Sequence, residues 1–165
     1  MEVTMIRIGL GIDFHRFVAE RTLILGGVAI PYPMGLAGHS DADVLTHAVI
    51  DSLLGAASLG DIGQHFPDTD PVYKNISSLV LLARVGKLII QGGYRIMNID
   101  STLIMETPRM APHLFHCCRN IATALEIDQK LISVKATTAE TMGAIGRKEG
   151  ISALAVALLE SAPTP

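Results

Sequence analysis

Between Met5 and His15 every second residue is aliphatic: Ile6, Ile8, Leu10 and Ile12 alternate with Arg7, Gly9, Gly11 and Asp13. A period of two predicts a β-strand, because successive side chains leave opposite faces of the pleat. Asp13 and His15 lie two apart at the end of that strand and share a face, so a carboxylate and an imidazole project together. An isolated Asp-x-His is more often a polar strand end facing water, and it needs further ligands nearby to mean a metal site.

A second cluster stands in Gly38-His39-Ser40-Asp41-Ala42-Asp43 and continues to His47 and Asp51. Ser40 and Asp41 are N-cap residue types, and the pattern predicts a helix from there to about Ala57. Asp43, His47 and Asp51 recur at i, i+4 and i+8 and line one helix face, with Val44, Ala48 and Leu54 on neighbouring faces as core. Such a stripe can be a solvated face. Here, however, three of the six His and several Asp fall within two short segments. Asp and His are zinc ligands, and three of them with one open position make a catalytic site, whereas structural zinc usually closes its shell with Cys. Spacing alone leaves open which His ligates. The nearby acids are candidates for orienting the imidazoles.

The remaining elements follow from punctuation. Leu23 to Ile30 is an apolar run broken by Gly26-Gly27. Pro31, Pro33 and Gly35 mark a loop, and Gly60 to about Tyr73 marks another. Ser77 or Ser78 caps a helix ending near Gly92-Gly93. Tyr94 to Met105 alternates as a strand, and Pro112 to Leu125 reads as a helix. Ile132 to Thr138 is strand-like, and the glycines at 143, 146 and 150 predict a loop. Ile151 to Glu160 fits a helix by its Ala and Leu, or a buried strand by its short apolar run. The result is one domain over 1–165, an α+β or α/β sandwich with helices on one face of a sheet.

Nearly half the residues are apolar (49%), only 18% are charged, and Trp is absent. Either the core is rich in aliphatics or partner subunits cover apolar surface. A net charge of −3 without a basic stripe argues against nucleic acid as a partner. The run Ile151 to Leu159 is too short to span a bilayer, so no membrane partner is expected. Strand character by Ile6 leaves no room for a leader, and the expected location is the cytoplasm. The adjacent Cys117 and Cys118 lack C-x-x-C spacing and read as small apolar fillers in a reducing compartment.

Lys135-Ala136-Thr137-Thr138-Ala139-Glu140 leaves a strand for a turn. Two hydroxyls and free backbone N–H groups suit phosphate oxygens, and the carboxylate suits a Mg²⁺ bridging them. Arg147 adds a planar cation that can bind phosphate in a bidentate way. Thr-Thr-x-Glu also reads as a helix capping box. Gly9-Leu10-Gly11 lies inside a strand with no helix after it and is not a dinucleotide fingerprint.

Nearly end to end, the chain resembles the 2-C-methyl-D-erythritol 2,4-cyclodiphosphate synthases of the non-mevalonate isoprenoid pathway. The residues that carry the resemblance are RIGLGIDFHRF from Arg7 to Phe17, GHSDADV from Gly38 to Val44 with His47, LGDIG from Leu59 to Gly63, and FPDTD from Phe66 to Asp70. Pro108-Arg109-Met110, Lys135 to Thr138 with Glu140, and Gly146-Arg147 with Glu149-Gly150 complete them.

The resemblance implies an α+β domain with a small mixed sheet, helices on one face, and a homotrimer with the sheets packed around the three-fold axis. Each active site would lie between two subunits. The substrate would be the cytidine diphosphate-linked 4-diphosphocytidyl-2-C-methyl-D-erythritol 2-phosphate, cyclised with release of CMP. By position, Asp13, His15 and His47 would hold zinc or another divalent cation, and Glu140 a Mg²⁺ or Mn²⁺ on the substrate diphosphate. His39, Ser40 and Thr138 would position or stabilise the phosphates. Asp61, Ile62 and Gly63 would meet the sugar, with Phe66, Pro67, Asp68, Thr69 and Asp70 in a substrate loop. Met105, Glu106, Thr107, Pro108, Arg109, Met110 and Ala111 would form the cytosine pocket. Phe14, Thr137, Ala139, Ala144 and Arg147 would complete the substrate contacts.

The chain departs from the family pattern at Leu10, where His is common, at Ile12 and Ala144, where aromatics are common, and at Arg109, where Lys is usual. Asn75-Ile76-Ser77 replaces a Gly-Ala-Asp pattern. Ile12 and Ala144 relate to an axial hydrophobic channel in which some members bind isoprenoid diphosphates. The alternatives to a cyclising lyase are a metal-dependent phosphohydrolase acting on a nucleotide diphosphate with water as nucleophile, and a non-catalytic trimeric binding protein.

Overall fold

The computed structural model describes residues 4–161. Residues 1–3 and 162–165, the two ends of the span read as one domain, lie outside the described residues. The first strand, β1 (Ile6–Val18), continues beyond the predicted end at His15. The apolar run broken by two glycines is a hairpin of β2 (Leu23–Leu25) and β3 (Val28–Ile30), with Gly26 and Gly27 both at positive φ in its turn. The short β4 (Gly35–Leu36) pairs with the end of β1. Then come α1 (Val44–Ala57), α2 (Ile62–His65), α3 (Ser78–Gln91), β5 (Tyr94–Ile104), α4 (Leu114–Leu125), β6 (Ile132–Thr137), α5 (Gly143–Gly146) and β7 (Gly150–Ser161).

The ambiguous final run is a strand, and it is the middle one. The sheet order is β4-β1-β7-β5-β6, with β7 antiparallel to β1 and β5, and β6 parallel to β5. Sheet pairing on both sides overrides the helix propensity of its alanines. Ile151, Ala153, Ala155, Ala157 and Leu159 are fully buried beneath the helices. The helices α1, α3 and α4 lie on this single face, as expected of an α+β domain with a mixed sheet. The segments predicted as loops around 60–73 and 143–150 contain α2, a 3₁₀ turn at Pro71–Tyr73, and α5. Elements this short escape any period-based reading.

The inner face of β1 is the one built from Gly, Asp and His. A Cβ on Gly9 would stand 2.1 Å from the Ser52 carbonyl oxygen, and one on Gly11 would stand 2.0 Å from that of Ala48. Only glycine lets α1 come this close to the strand. The aliphatic face is therefore the outer one: Ile6, Ile8, Leu10, Ile12 and Phe14 are 46–71% exposed. Strand register continues this face onto Leu158, Val156 and Leu154 of β7.

Capping differs from expectation in an instructive way. Asp43, not Ser40 or Asp41, is the N-cap of α1. Its buried carboxylate accepts from the Thr46 N–H (3.1 Å) and hydroxyl (2.7 Å), and from the N–H groups of Gly26 (2.9 Å) and Gly27 (2.7 Å). It ties the hairpin turn to the helix and makes no hydrogen bond to the imidazoles that the nearby acids were candidates to orient. Burial pushes its carboxyl upward in pKa despite these bonds. Ser77 caps α3 by position but makes no side-chain bond; the Asp41 carboxylate instead accepts the Ser78 N–H at 2.9 Å.

The cysteines are the fillers expected. The Cys117 thiol is buried and donates to the Leu25 carbonyl at 3.2 Å, and burial pushes its pKa to about 12. Both cysteines are free. Among the described residues no helix is long and apolar enough to cross a membrane.

Candidate metal centre and substrate clefts

Strand β1 and helix α1 bring three ligand atoms to one point. Asp13 Oδ2 lies 2.8 Å from His15 Nε2 and 3.0 Å from His47 Nδ1, and the two ring nitrogens are 3.2 Å apart. Three donors bound to one tetrahedral zinc at about 2.0–2.1 Å stand roughly 3.3 Å from one another, so this donor set fits such an ion with little rearrangement. Gly11 makes the site possible, because it seats α1 on β1 two residues before Asp13, against Ala48 and Ser52, one and five positions past His47.

Outer groups hold the rings. His15 Nδ1 lies 2.5 Å from the Ala37 carbonyl, which can only accept, so this nitrogen carries the proton and Nε2 presents its lone pair to the metal position. The Gly38–Ser40 loop is clamped by Arg21, which donates 2.6 Å hydrogen bonds to the carbonyls of Gly38 and Ser40. His39 donates from Nε2 to the Asp70 carbonyl at 3.2 Å. This joins the first loop to the segment Phe66 to Asp70.

The pKa directions fit a cation site. Burial alone would raise the Asp13 carboxyl, but the imidazoles of His15 and His47 beside it outweigh burial and hold it well below the usual carboxylate range. Burial would lower His15, but the Asp13 carboxylate outweighs it and raises its pKa above the ordinary value. In the metal-free protein the His15 contribution to stability is therefore complete below about pH 6.5 and is lost as pH rises through its higher folded-state value. That of Asp13 is present above about pH 3.9 and is lost as pH falls through its lower folded-state value. A metal must displace the His15 proton. Apparent zinc affinity is expected to rise with pH until the raised His15 pKa is passed and to flatten once that proton is gone. Chelator competition at a series of pH values measures this, and a flat profile would contradict it.

Two clefts flank the sheet. One, of about 580 Å³, is lined by Asp13, His15, His39, Ser40, His47, Ile62, Gly63 and the Phe66–Thr69 segment. The other, of about 210 Å³, is lined by Met105, Glu106, Pro108 to Ala111, Ala136, Thr137 and Thr138. Register places Asp13, Ala153, Leu103 and Ala136 in one row across the sheet. Three strand spacings separate the ends of that row, about 14 Å.

Residues 6–160 match the YgbB family. This chain belongs to the YgbB family. Proteins named 2-C-methyl-D-erythritol 2,4-cyclodiphosphate synthase from Chlorobium phaeobacteroides and Enterococcus faecalis are 58% and 55% identical to it, over 93% and 94% of this chain and 97% and 99% of theirs. Among solved structures, the bifunctional IspDF from Campylobacter jejuni matches with a TM-score of 0.93 at 42% identity, over 96% of this chain and 43% of that longer one. The Plasmodium falciparum IspF complex with CDP matches with a TM-score of 0.85 at 36% identity, over 98% of this chain and all of that one (100%).

As a YgbB-family chain it carries site candidates whose local roles are now visible. Asp61 caps α2 through the Gln64 N–H at 3.0 Å, and Asp51 accepts the Ile62 N–H at 2.7 Å, so both fix the turn leading to Gly63. Hydrogen bonds from Gln64 hold the exposed Asp61 carboxyl low. Glu106 accepts the N–H groups of Ala139 (3.0 Å) and Thr141 (3.2 Å), bracing a turn in which Glu140 and Thr141 both have positive φ. Glu140 accepts from the Thr138 hydroxyl at 2.7 Å. Two cations near this turn are engaged: Lys135 with Asp100, and Arg147 with Glu149 at 2.6 Å. Both pairs are exposed, and such pairs are weak enough to yield to a phosphate. Phe14 lies on the outer sheet face, and neither Ala144 nor Arg147 lines the two clefts. Sequence reasoning missed Ser78, whose hydroxyl reaches His47 Nε2 at 2.9 Å from 31 positions away.

Proposed function

We propose that this chain converts 4-diphosphocytidyl-2-C-methyl-D-erythritol 2-phosphate to 2-C-methyl-D-erythritol 2,4-cyclodiphosphate and CMP, a step of non-mevalonate isoprenoid biosynthesis. The observation that carries the reading is the convergence of the Asp13, His15 and His47 ligand atoms within one cleft of a YgbB-family chain. An oxygen of the 2-phosphate bonds to the β-phosphorus. The bond from that phosphorus to the oxygen it shares with the α-phosphorus breaks, and CMP leaves with the electron pair. The nucleophile is already an anion, so no Ser or Cys nucleophile and no strong base is needed. The obstacles are anion repulsion and alignment.

Among its described lining residues the metal cleft has no Lys or Arg, so a cation bound there would neutralise charge that no Lys or Arg of this chain meets. A divalent ion on Asp13, His15 and His47, taken here as zinc, supplies Lewis-acid stabilisation worth several kcal/mol. His39 and Ser40, set by the Arg21 clamp and the Asp70 carbonyl, position the phosphate. Asp61, Ile62 and Gly63 hold the sugar, and Phe66 to Asp70 close over it. Thr138 would stabilise the reacting diphosphate, and Glu140 would hold a Mg²⁺ or Mn²⁺ for it, a role for which one carboxylate plus phosphates suffices. Met105 to Ala111 read the cytosine through backbone groups.

Glu140 and the metal triad have to reach adjacent phosphates, yet their strands lie about 14 Å apart across one sheet. A second copy supplying its Met105–Glu140 region to the triad of the first makes the site complete. The uncovered aliphatic face of β1 and β7 supports the trimer that would do this. The free thiols support a reducing, cytoplasmic location. The test is incubation of purified protein with zinc, magnesium and the substrate. Equal amounts of CMP and a cyclic diphosphate, read by ³¹P NMR, are expected. A linear product would mean the phosphohydrolase, and no CMP would end the reading.

A further inference from the structure

We infer that Asp41 and Ser78 form a relay that fixes the tautomer of His47 and thereby sets the affinity of the metal site. The inference rests on the metal reading above and concerns two residues that reach the ligand from outside the donor set. Ser78, the first residue of α3, is fully buried. Its hydroxyl donates to Asp41 Oδ1, and its oxygen lies 2.9 Å from His47 Nε2. A serine has one proton and a carboxylate only accepts, so the proton is committed to Asp41. The oxygen then faces Nε2 with lone pairs, which only an N–H on that nitrogen can satisfy. His47 is thereby held with its proton on Nε2 and its bare pair on Nδ1, the atom that faces Asp13 Oδ2 at 3.0 Å.

The geometry of the anchor agrees. Asp41 Oδ2 accepts the Ser78 N–H at 2.9 Å, and the Asp41 N–H donates to the Ile76 carbonyl at 3.0 Å. Asp41 Oδ1 also accepts the Asp43 N–H at 3.3 Å, so the carboxylate is held both from the start of α3 and from the start of α1 and has little freedom to turn away. Ser40 Oγ stands 3.1 Å from the same Nε2 and accepts the Ala42 N–H at 3.2 Å. It is a second acceptor for the Nε2 proton, which leaves its own proton free to face the cleft. With His15 fixed by Ala37, all three ligand atoms present lone pairs to one point. Such an arrangement is relieved by a cation.

Asp41 also caps α3, so a merely structural role has to be separated from the relay. Zinc dissociation constants by chelator competition make that separation. Ser78→Ala keeps the Asp41 cap on the backbone but removes the relay, and it should weaken zinc binding about 10–100-fold, the usual effect of losing an outer-shell partner. Ser78→Thr restores the hydroxyl and should bind within a few-fold of wild type. Asp41→Asn can donate to Ser78 Oγ, freeing the serine proton for Nε2 and favouring the wrong tautomer, so it should resemble Ser78→Ala. Independently of any variant, ¹⁵N NMR of the metal-free wild type, at a pH where both rings are neutral, should find the His47 proton on Nε2. A proton on Nδ1, or zinc binding by Ser78→Ala and Asp41→Asn within twofold of wild type, overturns the relay. A wild-type chain that binds no zinc overturns the metal reading instead, and the NMR measurement still decides the relay.

Discussion

His47→Ala is expected to reduce bound zinc from one ion per chain to nearly none, and to lower kcat/KM by about a thousandfold or more. The second figure follows from losing several kcal/mol of charge stabilisation, at about 1.4 kcal/mol per factor of ten. A three-residue donor set has no spare ligand, so removing one leaves a bidentate site open to water. The fold should survive. His47 faces a cleft rather than the core, while Val44, Ala48 and Leu54, which seat α1, are untouched. Asp13→Asn should behave alike: the amide keeps the shape and loses the charge that holds the His15 proton in the metal-free protein. Metal analysis by mass spectrometry, alongside a sedimentation profile that matches the wild type, checks both variants. Full zinc occupancy in His47→Ala would remove it from the ligand set.

The site was more legible in the sequence than the placement of its supports. Asp13 and His15 could be paired because strand period is rigid, but spacing left open whether His39 or His47 joins them, and only the family resemblance pointed to His47. Helical logic misassigned Asp43. Spacing set it on the His47 face, whereas the demand of three otherwise unpaired N–H groups, Thr46 at the start of α1 and Gly26 and Gly27 in the hairpin turn, captured its carboxylate. Ser78 and Arg21 were invisible for a different reason. Each reaches the site by hydrogen bonds across 17–31 positions of chain, and no local pattern encodes a partner that the fold alone brings near. In the fold, β7 was undecided because Ala and Leu favour a helix, while its place at the centre of the sheet is a property of the whole topology. The alternation in β1 was plain, but which of its faces points inward was not. Gly9 and Gly11 decide that by admitting α1, against the usual rule that the aliphatic face is the buried one.

That inversion makes Ile8→Asp the second large effect. Ile8 is 71% exposed in the single chain and lies opposite Leu158 in the middle of the aliphatic face. In an isolated subunit the substitution removes no packing, and a change at such a position shifts stability by only about 0.5 kcal/mol. In a trimer packed through these faces it would place three carboxylates in a dry, aliphatic interface. An unpaired buried charge costs several kcal/mol even after relaxation, and here three like charges would also repel. The variant is therefore expected to fold, to keep one zinc per chain, and to sediment at the 17.6 kDa of a single chain, while the wild type sediments at three times that mass. On the proposed assembly turnover should fall nearly to zero, because the triad would lose access to a neighbouring copy's Thr138 and Glu140. The signature is the reverse of that of His47→Ala, which keeps the assembly and loses the metal. A wild type that is monomeric at working concentration, or an Ile8→Asp variant that is both assembled and fully active, would mean that the outer face of β1 serves some other purpose.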